Sequence, residues 1–184
     1  MAKIIVFVAL EDELPAANLL DYPIVFTGVG KVNAALAAAE AIAHYTPEIA
    51  INFGTAGAVV SGLTGLIECG GAVQRDMDLR PLGLPLGVTF GDPPPHELRW
   101  GEGPVVGTGD SFAAATPELA CDLVDMEAFA LAKACLRAGL TFRCVKYVSD
   151  AADGDAAMDW RENKARGAAL FNDWIEREYP KGMR

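Results

Sequence analysis

Acidic side chains recur in this sequence where strand-like runs end. Glu11-Asp12-Glu13 follows the apolar run at residues 3–10, Asp125-Met126-Glu127 follows Leu123-Val124, and Ser149-Asp150 follows the run that ends at Val148. The small-residue segment Gly54-Thr55-Ala56-Gly57 closes another run, and Gly109-Asp110-Ser111-Phe112 closes the one at residues 105–108. Open α/β sheets bind ligands beyond the carboxyl ends of their strands. Carboxylates after three strands, beside glycines and an aromatic ring, therefore mark one rim as an enzyme pocket with several acids, a residue type suited to acid–base work. Each residue also has a plainer reading. Asp12 and Asp150 can be helix N-caps, Glu127 an exposed acid in a first helical turn, Phe112 a core ring, and residues 54–57 an ordinary tight turn.

The elements that must position these residues alternate in type. Strand patterns cover residues 3–10, 22–27, 48–53, 105–108, 121–124 and 142–148. Helical patterns cover 12–20, an Ala-rich stretch at 31–45, then 127–138 and 156–178. Gly28-Val29-Gly30 reads as a turn, residues 54–57 as the break that ends the third strand, and 66–74 and 87–90 as short β-rich or irregular pieces. The Pro/Gly-rich stretch at 84–104, with Pro93-Pro94-Pro95, reads as a surface loop. This alternation predicts an α/β fold of three layers, α/β/α, around a central mixed, largely parallel twisted sheet. All 184 residues read as a single domain.

Composition narrows the partners. The net charge of −10 argues against nucleic acid, whose phosphates reward Lys and Arg. No apolar run is long enough to span a bilayer, and the first one leads straight into acids, so it reads as a buried strand and the protein as cytoplasmic. Four cysteines without CxxC spacing and two distant histidines predict no metal site, and no cofactor is expected. Gly28-Val29-Gly30-Lys31 is not a phosphate loop, because Val32 stands where Ser or Thr is required. Arg75-Asp76-Met77-Asp78 reads as a turn tied down by its own side chains.

Six stretches, taken in order, resemble the nucleoside phosphorylase and nucleosidase superfamily, and most closely its methylthioadenosine/S-adenosylhomocysteine nucleosidase branch. They are Ala9-Leu10-Glu11-Asp12-Glu13-Leu14, Gly28-Val29-Gly30-Lys31-Val32-Asn33-Ala34-Ala35, Ile51-Asn52-Phe53-Gly54-Thr55-Ala56-Gly57, Thr108-Gly109-Asp110-Ser111-Phe112, Val124-Asp125-Met126-Glu127 and Val148-Ser149-Asp150-Ala151-Ala152-Asp153. The resemblance implies a nucleoside phosphorylase-like fold, a small-molecule nucleoside substrate, and hydrolytic release of a purine, with adenine the base. In such a reaction the sugar becomes cation-like while negative charge builds on the base. By resemblance, Asp150 gives a proton to N7 of the purine, Glu13 takes one from the attacking water, and Glu127 binds the ribose hydroxyls and stabilises the cation. Phe112 would stack on the base and Met126 pack under the ribose. Ala113 main chain, with Thr55, Ala56 and Gly57 as floor, would read the base edge, and Ser149 would hold Asp150. Asp125 is near enough to tune Glu127.

Within the superfamily, three acids near the first strand suit water better than a phosphate dianion, which favours hydrolysis over phosphorolysis. The alternatives are a hydrolase of a futalosine-like or inosine-like nucleoside, a phosphate-dependent phosphorylase, and a non-catalytic nucleoside-binding protein. The chain lacks the hairpin that relatives usually carry before Gly28. Trp100 and His96, in the 84–104 loop, are candidates for the pocket wall that hairpin commonly supplies, with plain surface the other reading. The resemblance also implies a homodimer.

Overall fold

A computed structural model describes residues 3–15, 22–91, 96–152, 158, 160, 163 and 166–180. The strands are β1 (Ile4–Val8), β2 (Ile24–Phe26), β3 (Ile49–Ala58), β4 (Leu66–Cys69), β5 (Gly71–Gln74), β6 (Leu98–Arg99), β7 (Val105–Thr108), β8 (Leu123–Asp125) and β9 (Thr141–Asp150), and the helices are α1 (Lys31–Tyr45), α2 (Ala128–Arg137) and α3 (Gly167–Glu178). They build a mixed, largely parallel sheet in the order β2-β1-β3-β8-β7-β5-β6, with β9 also on β3 and β4 on the far side of β9. β1 pairs in parallel with β2 and β3, β3 with β9, and β7 with β5 and β8; the antiparallel pairs are β3–β8, β4–β9 and β5–β6.

The alternation along β1 explains the layering. Ile5 and Phe7 face one apolar cluster, with Ala34, Ala38 and Ala41 of α1 and Phe129, Leu131 and Cys135 of α2. Ile4, Val6 and Val8 face the other, with Phe171, Trp174 and Ile175 of α3. Neither face of the strand meets water, which is why all five residues are apolar. Small alanines at positions 34, 38 and 41 form one stripe of α1, on the side that meets the core. On the other face, Phe171 stacks between Phe53 and Trp174, and Arg143 of β9 sits over Trp174 while bonding Glu68 and Glu178, so α3 is pinned to the sheet by packing and charge together.

Four expectations are corrected or narrowed. Residues 54–57 do not break the third strand: β3 runs through them to Ala58, paired along its length with β9. The glycine at 57 serves clearance rather than turning, since a Cβ there would lie 2.5 Å from Asp150 Oδ1. Of the two alternatives given for residues 87–90, β-rich or irregular, the structure takes the irregular one; Gly87 has φ 83° and its N–H closes onto Met77 O at 2.8 Å. The expected helix at 12–20 begins as a turn, with Glu13 N–H on Leu10 O, and residues 16–20 lie outside the described residues. The final helix is described continuously only from Gly167; Met158, Trp160 and Asn163 are helical, and the other residues of 156–165 lie outside the described set, as do Asp153 and the triple proline. Among the described residues, no helix is long and apolar enough to cross a membrane.

Candidate active site

Gly57 is where the site is assembled. It pairs with Val124 of antiparallel β8 on one side and with Asp150 of parallel β9 on the other. Ala56 pairs with Val148, so Ser149 is one extra residue in β9, a bulge. A bulge shifts the in–out alternation, and here both Ser149 and Asp150 border the cavity. That cavity, about 150 Å³, is also lined by Glu13 after β1, by Glu127 after β8, and by Thr55, Ala56 and Gly57 of β3. Phe112, Ala113 and Met126 complete the set of ten residues singled out from the sequence, and all ten face this one space.

The carboxylates are held differently. Glu13 is buried and accepts three hydrogen bonds: Thr55 N–H (2.9 Å) and Thr55 Oγ1–H (2.7 Å) on Oε1, and Leu10 N–H (3.1 Å) on Oε2. Asp150 is half-buried; Ser149 Oγ donates to its Oδ2 at 2.7 Å and Ala152 N–H to its Oδ1 at 3.0 Å. Glu127, buried at the start of α2, accepts the N–H of Gly30 at 2.9 Å. Burial pushes its carboxyl up to about 7, Asp125 adds to the rise, and Lys146 and the Gly30 N–H oppose it.

Below Glu127 lies a buried ion pair. Lys146 Nζ sits 2.8 Å from Asp125 Oδ2, with both side chains 1% exposed. Burial works against the lysine's charge, but Asp125, Cys144 and Glu127 together hold its pKa above the ordinary lysine range. Asp125 also accepts Ala128 N–H and Thr108 Oγ1–H, and Thr108 Oγ1 in turn accepts Phe129 N–H. These contacts satisfy the first amides of α2, which has no ordinary side-chain cap at Glu127 itself. Asp125 thus anchors the helix start from which Glu127 projects.

The glycine turn before α1 is occupied by protein carboxylates: Gly30 N–H meets Glu127, and Lys31 N–H meets Asp110 Oδ1 at 2.7 Å. Trp100 and His96 do not wall the cavity. Trp100 packs edge-on against Phe142 and donates to Cys69 O, an anchor for the edge of the sheet, and His96 is exposed. Trp160 lines the cavity instead, its Nε1–H donating to Thr55 Oγ1 at 2.8 Å and its ring lying 6.4 Å from that of Phe112.

The family model described as "Phosphorylase superfamily" matches residues 21–76 and 99–176. The chain belongs to the phosphorylase superfamily. Glu127 and Asp150 fall within the matched residues, and Glu13 precedes them. A superfamily relative, the 5'-methylthioadenosine/S-adenosylhomocysteine nucleosidase of Staphylococcus saprophyticus, is 27% identical over 87% of this chain and 82% of its own length. The S-adenosylhomocysteine nucleosidase of Streptococcus pyogenes, solved with 5-methylthiotubericidin, superposes with a TM-score of 0.81 at 28% identity, covering 96% of this chain and 97% of its own. A futalosine hydrolase mutant of Helicobacter pylori shares the fold, with a TM-score of 0.84 at 17% identity over 96% of this chain and 100% of its own.

For this superfamily member, sequence reasoning missed Trp160, Lys146 and Arg75. Lys146 carried a readable mark. Its neighbours of the same parity in β9, Phe142, Cys144 and Val148, belong to the apolar cluster shared with α1 and α2, so a lysine among them had to be paired. Trp160 carried none, because its reach to Thr55 depends on how the last helix returns across the sheet.

Proposed function

We propose that this chain hydrolyses the N-glycosidic bond of a purine nucleoside, 5'-methylthioadenosine or S-adenosylhomocysteine, and releases adenine. The observation that carries the reading is the meeting of three carboxylates, from three different strand ends, around one cavity that also presents an aromatic ring. The names of its relatives point the same way.

In this reading Asp150 protonates the departing purine and Glu13 receives a proton from water. The three donors fixed on Glu13 orient a carboxylate for that task. Glu127, once ionised, accepts the ribose hydroxyls and offsets positive charge on the sugar. Phe112 stacks on the base, Met126 supports the ribose, Ala113 reads the base edge over the Thr55-Ala56-Gly57 floor, and Ser149 steadies Asp150. Water is favoured over phosphate because Glu13 and Glu127 would repel a dianion at close range. The chain acts as one catalytic unit, and we assign it to the cytoplasm, where its four free thiols stay reduced. A homodimer is part of the same reading: Val32 and Leu36 of α1 and Val29 before it are exposed apolar residues at 69%, 60% and 41%.

A panel of purine nucleosides, assayed for free base with and without phosphate, tests the proposal. Adenine should appear from 5'-methylthioadenosine in phosphate-free buffer, and Asp150→Asn should lower kcat by about 10²-fold or more, as for removal of a general acid. Base released only when phosphate is added overturns the hydrolytic reading. Base released only from futalosine-like or inosine-like nucleosides moves the substrate while keeping the chemistry.

A further inference from the structure

The segment that carries Phe112 and Ala113 has no regular structure of its own: among the described residues, no strand or helix lies between Thr108 and Leu123. Yet it must hold a ring and a main-chain edge at fixed positions against the base. Lys31 at the start of α1 holds Asp110, and the side chains that tie the stretch around Phe112 come from the exit of β5. Arg75 donates from Nε to Gly107 O (3.2 Å), from one terminal nitrogen to Ser111 Oγ (3.3 Å), and from the other, closely, to Ser111 O. Asp76 accepts Asp110 N–H at 2.8 Å on one oxygen and Lys31 Nζ on the other. Further along, Arg80 pairs with Glu118.

The sequence accommodates Arg75 deliberately. Its side chain lies beside the residue after β7, where a Cβ on Gly109 would sit 2.8 Å from Arg75 Cζ and 3.1 Å from its Cγ and Nε. Gly109 thus leaves the room that the guanidinium needs to reach the Ser111 carbonyl, one residue before Phe112. Arg suits the task because its planar fork reaches several acceptors at fixed angles, which a lysine ammonium does not.

We infer that Arg75, with Asp76 beside it, is the positioning residue for base recognition: it fixes the Ser111-Phe112-Ala113 segment from behind, so that ring and main chain meet the purine already ordered. Arg75 borders the cavity, but its guanidinium donates to protein carbonyls and a hydroxyl, Gly107 O, Ser111 Oγ and Ser111 O. This rests on the assignment of Phe112 and Ala113 to the base. A preordered loop binds more tightly because less freedom is lost on binding, so the effect belongs in base affinity more than in chemistry on bound substrate.

Calorimetric titration of the full chain with free adenine tests this without turnover, using Arg75→Ala, Arg75→Lys, Phe112→Ala and the Arg75→Ala/Phe112→Ala pair. We expect Arg75→Ala and Arg75→Lys each to weaken adenine binding about 10-fold or more while leaving kcat on saturating nucleoside within a few-fold. The double variant should lose clearly less than the two single losses combined, because both changes act on the Phe112 stack while Arg75→Ala also loosens the Ala113 main chain. Arg75→Lys, which keeps the charge and most of the packing, stands in if Arg75→Ala fails to fold. Unchanged adenine affinity in a folded Arg75 variant, or fully additive losses in the double variant, overturns the inference. Wild-type protein that binds no adenine contradicts the proposed function itself, a different outcome from either.

Discussion

In the proposed reaction Glu127 is a single residue that trades stability for function. Burial and Asp125 raise its carboxyl from its ordinary value of 4.5 to about 7. Between those values the native protein keeps a proton that the unfolded chain has released. This group's contribution to stability therefore falls as pH rises through that window. Gln at this position imitates the protonated form and can still accept the Gly30 N–H. We predict that Glu127→Gln is more stable than wild type at pH 8, on the order of 2 kcal/mol and a few degrees in Tm, with the gain vanishing near pH 4.5. The same variant should lose about 10²-fold or more in kcat if, as proposed, ionised Glu127 offsets positive charge on the sugar. Thermal melts at the two pH values with parallel activity assays check both halves; a Glu127→Gln variant that melts below wild type at pH 8 would mean burial does not burden this carboxylate. At this scale much of the site was legible in the sequence. Acids that follow strands stand out by type and position, whereas Lys146, Trp160 and Arg75 matter through partners that only the folded chain supplies.

At the scale of elements, β3 decides how the site is built. Its Gly54-Thr55-Ala56-Gly57 segment reads as a turn because glycines usually interrupt strands, but here they let other groups approach an unbroken strand. Local sequence could not distinguish the two, since the difference lies in the side chains of β9 and of the turn after β1. The two glycines are not equivalent. A Cβ at Gly57 would meet Asp150 Oδ1 at 2.5 Å, Ala152 Cβ at 3.0 Å and Val124 Cγ2 at 3.1 Å, while one at Gly54 would make ordinary contacts of 3.5 Å to Glu13 and 3.6 Å to Lys146. Gly57→Ala should therefore displace Asp150 and reduce kcat by about 10²-fold, and Gly54→Ala should stay within a few-fold of wild type. Steady-state kinetics on both variants decides the matter; equal effects would contradict a clearance role for Gly57. The bulge at Ser149 was likewise invisible in sequence, because an extra residue in a strand looks like any other until its partner strand is aligned.

For the whole molecule, the alternation of strands and helices was enough to give a mixed sheet covered on both faces, because β1 is apolar at every position. What the alternation did not give is which helix covers which face, since that depends on the path of the chain between strands. One outward surface remains apolar: Val32 and Leu36 project from α1, away from the Ala34, Ala38 and Ala41 stripe. If a second copy covers it, Leu36→Glu should convert a species of twice the chain mass into one of single mass in sedimentation experiments, whereas a wild-type chain that sediments as a monomer contradicts the proposed dimer.

In the proposed reaction water, activated beside Glu13, replaces the purine on the sugar. Turnover of 5'-methylthioadenosine in ¹⁸O-labelled water, with phosphate also present, tests it in a single mass-spectrometric measurement. Free adenine and a methylthioribose carrying one labelled oxygen at the former glycosidic carbon are the expected products. A sugar 1-phosphate, or no product at all, would contradict it.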